Sequence, residues 1–294
     1  MNKTIGISCA IGAAFIYGFA PLLAKLTYID GSNTITLTFF RSLFSFPLML
    51  AILRVKKISV RVSKKDFFTL IILAFLGAFA TGLMLYGAYN YISVGLTTCI
   101  HYVYPVLVAV ACVLFFKEKI STMKLIAMGL SLIGLLSFLE GDLKLNFTGV
   151  ALALGSGIAY AAYLVVMDKT EIKHLHPFLI SFYCATVAAV CLFVFGTATN
   201  QIVYHIAPRG WVLMFIMAIG VSVIANSITP IAVKNVGPTV TAILGMFEPI
   251  VSVILGILFL NEPFTFRGAL GCVLVILSVV LLTLERDKTN EKQE

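Results

Sequence analysis

The chain has 294 residues, 60% of them hydrophobic and 12% charged, with a mean hydropathy of +1.04; soluble domains run at roughly 45–50% apolar and roughly 25% charged. This composition excludes a soluble globular fold, and ten bilayer spans of about 20 residues each would leave room only for short connections. The formal charge of +8, from 21 Lys and Arg against 13 Asp and Glu, reads as membrane topology rather than as a nucleic-acid partner, because the cations fall in short loops.

Long uncharged runs, divided at turn-like residues, predict ten helices near 5–27, 34–53, 67–89, 94–116, 123–139, 147–167, 177–197, 211–231, 238–260 and 267–284. The runs do not alternate apolar and polar residues, so β-barrel spans are not expected. The first run is longer than the roughly 7 to 15 residues of a signal-peptide core and ends without a small-x-small cleavage site, which predicts a retained span. With the N-terminus inside, 16 of the 21 Lys and Arg lie on its side, including all six between Arg54 and Lys65. Only Lys144, Arg209 and Arg267 lie opposite, while Lys25 and Arg41 fall within spans. Both termini are therefore expected in the cytoplasm, and the chain in the cytoplasmic (inner) cell membrane.

The six cysteines lie in apolar segments without a C-x-x-C pair, as packing residues do. His174-Leu175-His176 precedes Pro177 and reads as a loop, so neither a metal nor a cofactor is expected. Walker A, G-x-S-x-G, H-E-x-x-H and Rossmann patterns are absent, which argues against a nucleotide-driven pump and against an enzyme.

The two halves align when Pro105 is laid on Pro249. Leu114-Phe115-Phe116-Lys117-Glu118 then matches Leu258-Phe259-Leu260-Asn261-Glu262, and Pro and Glu stand thirteen residues apart in both copies. A unit of five spans inverts its own second copy, so the expected fold is all-α and integral to the membrane, with ten transmembrane helices as two inverted-topology five-helix repeats. The expected units are residues 1–141 and 146–285, with a cytoplasmic tail at 286–294.

Tyr17-Gly18 followed by Lys25, Phe39-Phe40-Arg41, and the segments Pro105 to Glu118 and Glu248-Pro249 to Glu262 resemble the EamA family of the drug/metabolite transporter superfamily. The likeness covers nearly the whole chain. It implies ten helices, a central substrate cavity, and export or exchange of small metabolites, often amino acids. The sequence departs from the usual pattern at Tyr17, where relatives commonly carry Trp, and at His101-Tyr102-Val103-Tyr104, more polar than the usual aliphatic stretch.

Glu248 is the sharpest candidate, because counting from Pro238 puts it about 15 Å into the bilayer. A carboxylate there costs about 2.5 to 3.5 kcal/mol on insertion scales. Pro249 leaves the Gly245 carbonyl without its helical donor, and Pro105 marks the equivalent helix break in span 4. His101 and Tyr104 lie on roughly one face there, whereas Tyr102 is expected to point elsewhere. Arg41, about 10 Å below the outer end of span 2, is a candidate for a structural ion pair with Glu248, for capping a broken helix, or for a substrate carboxylate. Lys25 is split between snorkelling and a substrate-facing role. Tyr17, Tyr86, Tyr160 and Tyr163 are candidates to line a cavity. Glu118 and Glu262, before the N-cap candidates Ser121 and Thr265, are assigned to structure.

The expected function is a secondary transporter, in the exporting direction, of a small organic metabolite, with proton coupling through Glu248 as a further expectation. A membrane enzyme acting on a lipid-linked substrate and a broad multidrug exporter are the alternatives. One chain supplies both halves of a pathway, so a monomer suffices; a weak homodimer through spans 5 and 10 is the other option.

Overall fold

The computed structural model describes residues 2–92, 94–137, 146–260 and 266–290. Among these, every regular element is helical. In chain order the apolar helices are α1 (Lys3–Ile29), α2 (Thr34–Val55), α3 (Lys64–Ala88), α4 (Leu96–Phe116), α5 (Thr122–Ser137), α6 (Phe147–Lys169), α7 (Pro177–Ala198), α8 (Pro208–Val236), α9 (Pro238–Phe259) and α10 (Phe266–Leu281). Eight are long and apolar enough to cross a membrane, and α5 and α10 are the shorter two. The chain is a multi-pass membrane protein. Lys144, Glu262 and Thr265 lie outside the described residues.

Polar side chains set where the helices start. Asn2, Asn33, Ser63 and Asn146 each accept a hydrogen bond from the backbone N–H three residues on, which satisfies a donor that the first turn leaves without a partner. Ser121 does the same for Lys124 N–H, as expected. Pro177, Pro208 and Pro238 open α7, α8 and α9, where a missing N–H costs nothing. Two boundaries differ from expectation. Only Gly237, at φ +81°, separates α8 from α9, because glycine turns the chain where a side chain would be strained. The helical backbone of α10 runs on to Asn290, so the expected tail is helical up to that residue; its Glu, Arg and Lys are good helix formers.

Five helices are irregular inside their spans. α1 breaks at Phe19, α4 at Tyr102-Val103 and α9 at Met246-Phe247, while α3 and α8 widen into π-helix over Ala74–Ala80 and Ala218–Ala225. Ala218 follows Ala74 by the same 144 positions that separate Pro249 from Pro105.

The packing follows the same pairing. α2 packs on α7, and α5 on α10; α1 meets α8 and α9 as α6 meets α3 and α4. Contacts between distant residues also sort by end. At one end Asn2 N–H donates to Asn235 Oδ1 at 2.9 Å, Tyr183 donates to the Val60 carbonyl at 2.7 Å, and Lys169 pairs with Glu118. This is the end that carries the cations from Arg54 to Lys65. At the other end Arg209 grips Asp30 and Asn33 donates to the Gln201 carbonyl at 2.7 Å. Apolar side chains such as Phe68, Leu114, Phe115 and Val194 face outward, where lipid replaces water as the solvent.

Glu118, assigned from sequence to a helix-end role, pairs across the two halves with Lys169. That Lys also lies 2.7 Å from Asp168 and 5.0 Å from the centre of the Phe116 ring.

Candidate functional site

The helix breaks meet one another. At the break in α1, a Cβ on Gly18 would fall 2.5 Å from Val251 Cβ and 2.9 Å from the Glu248 carbonyl oxygen, and the Gly18 carbonyl accepts from Ser252 Oγ at 2.9 Å. Gly157 of α6 faces the break in α4 in the same manner, since its Cβ would lie 2.7 Å from the His101 carbonyl oxygen. That carbonyl is the one Pro105 deprives of a helical donor, four residues earlier. In α9 the Gly245 carbonyl, freed by Pro249, accepts from the Tyr102 hydroxyl at 3.2 Å, and the neighbouring Ala242 carbonyl accepts from Tyr104 at 3.2 Å. Hydroxyls from α4 thus satisfy the broken turn of α9, as buried backbone groups in a bilayer require.

A cavity of about 80 Å³ opens beside these breaks. Of the candidates read from sequence, Tyr17, Arg41, Tyr86, His101, Tyr104, Tyr160 and Glu248 all line it. Tyr163 does not; it stacks behind Tyr160 with ring centres 5.7 Å apart and fills the space a Gly77 side chain would need. Lys25 does not line it and is exposed on α1. Pro105 and Pro249 stand in the first turns after the breaks in α4 and α9.

Several polar lining groups have defined partners, and the Glu248 carboxyl is hydrogen-bonded with the Tyr102 hydroxyl. Ser156 Oγ gives its proton to the Ala153 carbonyl at 2.6 Å and lies 2.8 Å from His101 Nδ1. A hydroxyl has one proton, so it accepts from Nδ1–H, and His101 Nε2 is left as an acceptor. Tyr17 donates to Asn226 Oδ1 at 2.7 Å, which leaves the Asn226 amide NH₂ as a donor. Arg41 is 6% exposed, its Nε has no hydrogen-bond partner, and its guanidinium carbon sits 5.5 Å from the Tyr86 ring centre. The structural ion pair expected between Arg41 and Glu248 is not formed: the ion pairs among the described residues involve Lys169, His174 and Arg209 as cations.

Sequence reasoning missed four lining or supporting residues. Tyr102, expected to point away, reaches the Gly245 carbonyl. Thr81 and Asn226, each the first residue after a π stretch, and Tyr89 line the cavity. Asn226 was findable as an amide inside an apolar run, since intramembrane polar groups default to bundle contacts or sites. No group of three His, Cys, Asp or Glu side chains placed to hold a metal occurs among the described residues.

The model of the EamA-like transporter family matches residues 4–139 and again 147–284. The chain belongs to the EamA-like transporter family. Among relatives of this EamA-family chain, an uncharacterized transporter of Synechocystis sp. is 26% identical over 69% of the chain and 63% of its own length. The uncharacterized transporter YvbV of Bacillus subtilis is 26% identical over 66% of the chain and 64% of its own. The chain therefore aligns with just under two thirds of each. A "Probable sugar phosphate/phosphate translocator" of Arabidopsis thaliana is 31% identical over 36% of the chain and 32% of its own length. A solved crystal structure, 14% identical, superposes with a TM-score of 0.84 over 98% of the EamA-family chain and 99% of its own, which shows the fold.

Proposed function

We propose that this EamA-family chain is a secondary-active transporter that moves a small organic metabolite by alternating access, with an amino-acid-like solute favoured and export as the direction. In this reading ten helices form two inverted five-helix repeats, residues 1–141 and 146–285, in the cytoplasmic membrane with both termini inside. The double family match, the 144-residue spacing of breaks and π stretches, and the swapped helix pairings support the repeats. The cation-rich end supports the orientation.

The observation that carries the proposal is a polar, ionisable cavity built where broken helices of both halves meet, with Glu248 and Arg41 in its wall. Irregular backbone inside a bilayer is tolerated where it lines a cavity, and transporter sites take this form. About 80 Å³ is well below the roughly 300–1,000 Å³ of organic-ligand pockets, so entry of a metabolite requires the halves to part. Glu248 is the proton-coupling group in this scheme.

The test is metabolite profiling of cytosol and medium from cells expressing wild type or Glu248→Gln at equal membrane levels. A metabolite class that leaves cells only with wild type identifies the cargo and direction and implicates Glu248. Equal export by both proteins returns Glu248 to a structural role, and unchanged pools in both cases remove the exporter reading.

A further inference from the structure

Resting on the cytoplasmic orientation proposed above, and not on the cargo, we infer that the groove between the α2–α3 loop and α7 binds an anionic phospholipid, with Arg61 and Lys64 on its phosphate and Phe67 and Phe68 against its glycerol and upper acyl chain. The stretch from Arg54 to Phe68 carries six cations and one acid, Asp66. Asp66 is buried and already engaged: Ser63 Oγ donates to its Oδ2 at 2.7 Å, and His174 Nε2 lies 3.6 Å from the same oxygen. Arg61 and Lys64 are exposed, and neither enters an ion pair among the described residues. Their charge faces outward at the membrane surface, where an anionic headgroup is the complementary partner.

The two cations line a groove of about 820 Å³ that also has an aromatic wall. Phe67 stands edge-on to both Phe68 and Tyr183, with ring centres 6.2 Å and 6.0 Å away. The loop that carries Arg61 is held in place, because Tyr183 of α7 donates to the Val60 carbonyl at 2.7 Å and Val62 packs against buried residues. Phe67 and Phe68 nonetheless remain 42% and 65% exposed. Tyr183 lies six residues into α7, about 9 Å from its end at 1.5 Å per residue, so the groove spans the boundary between headgroups and hydrocarbon. A phospholipid joins the same two chemistries. The Arg61 fork suits phosphate oxygens, the positive end of the α3 dipole at Lys64 adds to the field, and aromatic rings favour the interfacial layer below. A free phosphate would use the cations and leave the aromatic wall bare, and a zwitterionic lipid would bring an ammonium towards Arg61 and Lys64. Since α3 and α7 belong to different copies of the family match, one bound lipid bridges both.

The test uses the purified full chain in a nonionic detergent, incubated with equimolar dioleoylphosphatidylglycerol and dioleoylphosphatidylcholine, and reads the lipid retained per chain by native mass spectrometry. Wild type is expected to retain phosphatidylglycerol roughly 10 to 30-fold over phosphatidylcholine, the range for two basic side chains at an anionic surface. Arg61→Gln combined with Lys64→Gln is expected to remove most of that preference. Lys119→Gln combined with Lys124→Gln takes the same charge from the next cation-bearing loop on this side and is expected to keep it. Phe68→Ala is expected to lower retention of both lipids alike, because the acyl chain is common to them. Equal retention of the two lipids by wild type overturns the site, and so does an equal loss of preference in the two double variants, which would mean diffuse charge. Unchanged retention in Phe68→Ala, or displacement of phosphatidylglycerol from wild type by inorganic phosphate at fixed ionic strength, overturns the lipid as occupant. The displacement arm needs no variant, and no arm contains cargo, so the metabolite profiles judge the transporter reading separately.

Discussion

At the scale of single residues, Pro249 announces a carbonyl that must find a new donor, and the freed Gly245 carbonyl is legible from spacing alone. The donor is not. Tyr102 supplies it: a continuous 3.6-residue period points Tyr102 away, but the helix breaks at Tyr102-Val103. Gly157 turns this geometry into a prediction. A Cβ there meets the His101 carbonyl oxygen at 2.7 Å, against backbone that cannot swing aside, whereas a Cβ on Gly129 meets nothing within 4 Å. Gly157→Ala is expected to cost about 1 to 3 kcal/mol as overpacking, and Gly129→Ala to be neutral or slightly stabilising through helix propensity. Thermal unfolding of the two variants in one detergent checks the contrast; equal midpoints would mean the α4 break does not rest on Gly157.

At the scale of elements, the eight long apolar helices among the described residues were legible because twenty-residue uncharged runs have few other readings, and α5 and α10 appear as the two shorter apolar helices. Their interior irregularities were legible only where proline marks them. The π stretches carry no such mark: each adds one residue to a turn within an apolar run, which leaves hydropathy unchanged, and Thr81 and Asn226 reach the cavity just after them. The pairing of α5 with α10 was likewise invisible, since nothing in an apolar run names its neighbour. Its centre is a buried hydrogen bond from Ser131 Oγ to Ser278 Oγ at 2.5 Å. Hydrogen bonds between helices inside membranes contribute modestly, about 0.6 kcal/mol on average in double-mutant cycles. A cycle of Ser131→Ala and Ser278→Ala is expected to give a coupling of that size and to leave transport unchanged. A coupling several times larger, or lost transport in either single variant, would place this pair in the moving part of the molecule instead of at its edge.

At the scale of the whole molecule, ionic contacts join the two halves at both ends, Glu118 with Lys169 at one and Asp30 with Arg209 at the other. In the proposed alternating-access cycle each end parts in turn, and these are the contacts that such a cycle would break. The Asp30 pair is bidentate: Nε donates to Oδ2 at 2.9 Å and a terminal nitrogen to Oδ1 at 2.6 Å. The Arg209 guanidinium holds the Asp30 carboxyl below its ordinary range. A lowered carboxyl pKa means that the contact is fully present above about pH 4, the unperturbed range, and is lost only as pH falls through the lowered value. Between pH 5 and 8 this latch therefore does not titrate. Asp30→Asn is expected to change the rate of transport by loosening one end while keeping the shape of the wild-type pH profile in that window. Glu248→Gln, if the coupling assignment holds, flattens the profile. Measuring both profiles in proteoliposomes separates the two roles: a profile that changes shape in Asp30→Asn would mean that the latch carries the pH dependence, and one preserved in Glu248→Gln would remove the carboxyl at the α9 break from coupling.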